Sequence, residues 1–190
     1  MAWNDPSEVP VGSSGQVYVA TVGSTAPTAF DSALSAATWT GLGYLTTDGF
    51  TKATELETGE IEAWQSMEPI RREVTKRGNQ YAFALMQWNE NTLPIAFGGG
   101  TIAAAGTGYK YTPPEQDDAL IERALVIDAN DGTDVYRFYA PRVTITEGVE
   151  TTFKRGESAI LPITFKALTP ANGGDAYAIF SNAAGFATGS

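Results

Sequence analysis

The chain has 190 residues, enough for one compact domain with a substantial core, and its 43% hydrophobic and 18% charged content excludes wholesale disorder. Its 22 acids and 12 bases leave a net charge of −10, the wrong sign for a protein that grips a nucleic-acid backbone. Cysteine and histidine are both absent, which excludes disulfides, thiol and imidazole nucleophile–base pairs and the usual zinc ligand sets.

The charge is unevenly spread. Residues 1–68 carry nine acids against Lys52 alone, whereas residues 69–190 carry thirteen acids and eleven bases. No apolar run approaches the roughly twenty residues of a membrane-crossing helix. The N-terminus, Met1 to Glu8, lacks the basic start and apolar stretch of a secretion signal. With the lack of cysteine, this suits a product made and folded in cytoplasm.

In chain order, residues 16–21 read as a first strand, Val17 and Val19 alternating with Tyr18 and Ala20. Residues 24–38 are small and polar around Pro27 and read as a loop, with a short helical turn after Asp31. From Trp39 to Trp64 the chain runs WTGLGYLTTDGFTKATELETGEIEAW. Strands at 42–46 and 50–56 flank Asp48-Gly49, a hairpin dipeptide, with Trp39, Tyr44 and Phe50 as aromatic anchors. Glu55, Glu57, Glu60 and Glu62 then fall within eight residues, with no base among them.

Residues 70–76 and 80–88 read as a second hairpin around Arg77-Gly78-Asn79, with Tyr81, Phe83 and Leu85 sharing one face. A short helix follows at 89–97: Asn89 suits its cap and Glu90 its first turn, Pro94 limits its length and Gly98 stops it. Residues 98–108 read as a glycine- and alanine-rich linker. Strands at 119–127 and 133–139 flank a turn over Asp128-Ala-Asn-Asp-Gly132, and strands at 142–146 and 159–168 follow, with Leu161, Ile163 and Phe165 inward. After Thr169 the chain is small and polar, and Tyr177, Phe180 and Phe186 need cover from elsewhere. The fold class is mainly β with one short α-helix.

No catalytic, cofactor-binding or metal-binding residues stand out. The acids of 55–62 could furnish a two-carboxylate site, but they read better as a solvated or channel-lining patch. Asp128-Ala-Asn-Asp-Gly places its glycine one position too early for a calcium loop and has no glutamate at the twelfth position. Residues 98–108 lack the Gly-Lys-Ser/Thr ending of a phosphate loop. The basic cluster Arg71, Arg72, Lys76 and Arg77 has three readings: a solvated hairpin surface, a docking partner for acids of a neighbouring subunit, or a DNA grip.

The block Trp39 … Leu42-Gly-Tyr44 … Asp48-Gly49 … Ile61-Glu-Ala-Trp64-Gln65 resembles the major tail tube proteins of long-tailed, non-contractile (siphovirus-type) bacteriophages. The opening strand with its small-residue turn at 14–27 is similar to that family, as are the strand and helix over 80–98, the hairpin at 124–139 and the strand ending Thr164-Phe-Lys-Ala-Leu168. Residues 98–114 fall outside the matching blocks. The resemblance implies one tail tube domain over 1–190, a β-sandwich or partial barrel whose strands join a continuous barrel across a hexameric ring. It implies an extended loop at 49–77 reaching the next ring, a C-terminal segment at 169–190, and rings stacked into a tube through which double-stranded DNA passes without specific binding. On that basis Glu55, Glu57, Glu60, Glu62, Trp64, Arg71 and Arg72 take part in ring stacking or line the channel. Implied partners are further copies of the chain and the tail terminator, tape measure and distal tail proteins; no cofactor and no membrane are implied. The protein would be made in the host bacterial cytoplasm and reside in the virion tail. Two other readings remain open: the inner tube of a contractile tail or secretion system, and a secreted β-sandwich carbohydrate-binding module.

Overall fold

The computed structural model describes residues 6–115 and 117–186. The N-terminal residues 1–5 and the last four residues of the C-terminal segment lie outside them. β1 (Ser14–Thr21) forms where the alternation places it, with Val17 and Val19 buried. It pairs along its length with β7 (Glu122–Asp131), Val17 opposite Ile127 and Val19 opposite Leu125. Residues 24–38 form a loop with no assigned helix, though the amides of Thr38 and Trp39 both donate to the Ser35 carbonyl in a single helical turn. Beyond it, β2 (Thr40–Gly41) is a two-residue edge on β1.

The two hairpins expected between residues 42 and 88 are one. β3 (Leu45–Ile61) is a single strand through Asp48-Gly49, and β4 (Arg71–Leu85) is a single strand through Gly78. Leu45 lies opposite Leu85 and Phe50 opposite Phe83, so five residues advance on β3 against two on β4. The surplus bulges out, with Gly49 at φ 67°. The reason is parity: Leu45 and Phe50 both pack on the core, yet an odd spacing puts them on opposite faces of a regular strand. The bulge brings both inward, and Phe50 meets Phe138 with ring centroids 5.2 Å apart. Tyr44, by contrast, points to solvent. Gly78 marks a close approach rather than a turn. It lies opposite Glu55, and a Cβ there would sit 2.8 Å from the Glu55 carboxylate. The true reversal spans residues 62–70, closed by Ser66 N–H to Ala63 O and Ile70 N–H to Ile61 O.

The helix α1 (Thr92–Ala96) is shorter than expected. Asn89 does cap it, its Oδ1 accepting from the amides of Asn91 and Thr92 at 2.9 and 3.0 Å. At the other end Gly98 N–H donates to Ile95 O and Gly99 N–H to Pro94 O, with Gly98 at φ 73°, a Schellman termination. The expected linker at 98–108 is instead a second, two-stranded sheet, β5 (Thr101–Ala105) and β6 (Gly108–Thr112). Gly106 supplies the left-handed φ of 61° that its two-residue turn requires.

β7 and β8 (Asp134–Ile145) form the expected hairpin, with its turn narrowed to Gly132-Thr133. On its other edge β8 pairs first with β10 (Ala178–Ser181) and then with β9 (Leu161–Ala167). Pro141, which has no amide hydrogen to donate, stands between those two pairings. The main sheet therefore runs β2-β1-β7-β8-β9-β4-β3, antiparallel, with β10 as a side branch, and it is not closed into a barrel. The main core takes Val17, Tyr81, Phe83, Leu125, Ile163 and Phe165 among others, with α1 laid over it. A smaller cluster, Ala20, Trp39, Ala124 and Val126, lies on the opposite face of β1 and β7, beneath the 24–38 loop. The tail finds its cover: Tyr177 packs on the core, Phe180 joins the sheet through β10, and Phe186 meets Tyr136 edge-on.

Candidate assembly surface

β9 covers β4 only from Gln80 to Leu85. Outward from Glu55 and Gly78, β3 and β4 continue as an exposed two-stranded ribbon. Alternation assigns its side chains to two faces. One face carries Glu55, Glu57, Gly59 and Ile61 with their partners Gly78, Lys76, Glu73 and Arg71. The other carries Leu56, Thr58 and Glu60 with Arg77, Val74 and Arg72, displaced by a bulge at Thr75.

Three of the acids that have no base near them in sequence, Glu55, Glu57 and Glu60, find one in the fold. Glu55 lies over Gly78 and accepts from Lys166 Nζ at 2.9 Å and Gln80 Nε2 at 2.7 Å. Glu57 takes Lys76 at 2.7 Å. Glu60 takes Arg72, whose Nε donates at 3.0 Å, and Arg71 pairs with Glu73 at 2.8 Å. The hydrogen bond from Lys166 holds the Glu55 carboxyl below the usual glutamate range, against a smaller opposing effect of burial. The hydrogen bond to Glu57 pushes the Lys76 ammonium up. Seven of the charged side chains on 55–76 are thus committed within the chain, so the ribbon's flanks present matched charge. Among the described residues Glu62, Glu68 and Arg77 have no ion-pair partner.

The tip differs in kind. Trp64 is 100% exposed, and Ile61, Met67 and Ile70 stand open beside it. Leu56 and Val74 on the shaft are exposed as well, and among the described residues none covers these apolar side chains. Of the residues picked out from sequence, Glu55, Glu57, Glu60, Arg71 and Arg72 therefore sit on the shaft, and Glu62 and Trp64 at the tip. The sequence reading missed Lys166 and Gln80, which reach the ribbon root from β9 and β4. It also passed over Ile61, Met67 and Ile70, whose signal was apolar residues in a stretch otherwise acidic and polar.

A cavity of about 690 Å³ lies elsewhere, between residues 12–16 and the β3 bulge at 43–50. Gly, Ser and Thr dominate its walls, and Asp48 and Tyr44 are its titratable groups. A lone carboxylate has no partner there for acid–base work.

A family model described as phage tail tube protein matches residues 1–188. Among curated proteins no match is found. Among solved structures, a chain of the virion of native gene transfer agent (GTA) particle aligns over 86% of this chain and 94% of its own, with 10% sequence identity and a TM-score of 0.40.

Proposed function

The chain belongs to the phage tail tube protein family, and from that premise we propose that it polymerises as stacked hexameric rings into the conduit for DNA ejection into the host. It is a structural component of the virion tail. The observation that carries the finer reading is the β3–β4 ribbon, a long uncovered edge strand ending in an exposed apolar tip. Such an edge invites pairing with another chain. Two unlike patches meeting head to tail, repeated around an axis and along it, build rings and then a tube.

In this reading the internally paired Glu55, Glu57, Glu60, Arg71 and Arg72 stiffen the ribbon, while Trp64 and Glu62 make contact with the next ring. The net charge of −10 lets DNA pass without being held. The tail terminator, tape measure and distal tail proteins would meet the tube at its ends and in its bore.

Electron microscopy of the purified protein tests this directly: hollow filaments are expected for the wild type. The double variant Trp64→Asp/Met67→Asp should keep its far-ultraviolet circular dichroism and form no filaments. Wild-type protein that stays monomeric at high concentration, or a variant that still makes tubes, would overturn the reading.

A further inference from the structure

A second uncovered apolar surface lies at the other end of the same strand. Leu85, the last residue of β4, pairs with Leu161, the first of β9. Beyond that pair come Met86 and Trp88 on one side and residues 153–160 on the other. Trp88 packs against Phe153 with ring centroids 5.2 Å apart, and its indole Nε1–H donates to Ala159 O at 3.0 Å. That bond fixes the ring without covering it. Phe153 is 73% exposed, and Met86, Trp88 and Ile160 remain exposed around it. Lys154 and Arg155 border this patch. Lys154 also touches Glu157 at 3.6 Å, and Arg155 has no ion-pair partner among the described residues. Glu147 and Glu150 lie earlier in the same loop.

The ribbon tip is its counterpart, apolar like the patch and bordered by acids where the patch is bordered by Lys154 and Arg155. Its apolar residues are bordered by Glu62 and Glu68, and the chain has no base between Lys52 and Arg71. The fifteen residues of β4 separate the two surfaces by roughly 50 Å at about 3.3 Å per residue. Two complementary patches at opposite ends of one extended strand cannot satisfy each other within a copy. Between copies they propagate in one direction.

We propose that the tip of one copy (Ile61, Glu62, Trp64, Met67, Glu68, Ile70) seats on the aromatic and basic patch of a second copy in the next ring (Met86, Trp88, Phe153, Lys154, Arg155, Ile160). Apolar contact supplies the attraction, and Glu62 and Glu68 facing Lys154 and Arg155 set direction and register. This seat rests on the reading that the ribbon meets the next ring.

The test is a charge exchange backed by cross-linking. Glu62→Lys/Glu68→Lys and Lys154→Glu/Arg155→Glu should each lose sedimentable tubes while keeping the monomer's circular dichroism, and the fourfold variant should regain them. The chain has no cysteine, so Gln65→Cys/Thr152→Cys introduces the only thiols. A short bis-maleimide should then give a ladder of covalent multimers from tubes, and none from dilute monomer or from Gln65→Cys alone. Loss of tubes without rescue, together with no ladder, would overturn this seat while leaving the ribbon's role standing. Tubes unaffected by either reversal and by Trp64→Asp/Met67→Asp would overturn the ribbon reading and the seat with it.

Discussion

Arg137 and Asp128 form the most buried ion pair among the described residues. The guanidinium reaches Asp128 through two bonds of 2.7 Å and donates to Ser32 O at 2.6 Å, tying β8 to the 24–38 loop. Both side chains are largely buried, at 9% and 13% exposure. Asp128→Ala strands a buried cation and should cost about 3–5 kcal/mol. Glu60→Gln opens an exposed pair with Arg72 and should cost at most about 1 kcal/mol. Urea denaturation of the two variants separates these outcomes. Acid should act through Glu55 and Glu122, whose carboxyls are held low by hydrogen bonds from Lys166 and Arg142 respectively. Their folded-state values lie below the unfolded one, so the stability they contribute is full above the ordinary value of 4.5 and is lost as pH falls through the depressed values. Melting temperature followed downward in pH should drop below 4.5, and less steeply in Glu55→Gln/Glu122→Gln.

At the scale of elements, the helix end and the ribbon make opposite demands. α1 stops because Gly98 adopts a left-handed φ of 73°, so Gly98→Ala should cost about 1–2 kcal/mol. Gly148, with ordinary φ and open space about it, is the control and should accept alanine within about 0.5 kcal/mol. The ribbon is held by cross-strand hydrogen bonds and exposed ion pairs with little burial, the profile of a segment that opens locally. Trypsin should therefore cleave monomer first at Arg71, Arg72, Lys76 or Arg77, all exposed. Assembly should protect those bonds. Mass spectrometry of the first fragments, from monomer and from tubes, reads the difference.

The whole molecule is an open sheet whose end strands, β2 and β3, are both uncovered. A soluble monomer usually protects such edges, and this one leaves its longest strand bare. In the proposed tube, neighbouring copies would supply the missing cover. The same molecule has no surplus of positive charge to spend on DNA. At low salt, where phosphate contacts are strongest, a gel-shift assay should show no retained duplex. A shifted band would contradict the passive conduit.

Much of the sheet was legible in the chain because strand periodicity is local. Val17 and Val19, Tyr81-Phe83-Leu85, and Leu161-Ile163-Phe165 each announce a buried face at period two, and each is buried. The Asn89 cap, the Gly98 stop and the β7–β8 reversal at Gly132 follow likewise from residues a few positions apart. Glycine was ambiguous because it serves any place where backbone is crowded or bent. Asp48-Gly49 is a bulge and Gly78 a crossing point, since strand pairing across the whole sheet outweighs a dipeptide's preference for turning. The partner of Glu55 is Lys166, 111 residues away. Only the folded β9 could bring it there, and only the folded ribbon could show that Glu55, Glu57 and Glu60 are neutralised at home while Trp64 and Met67 at its tip stand exposed.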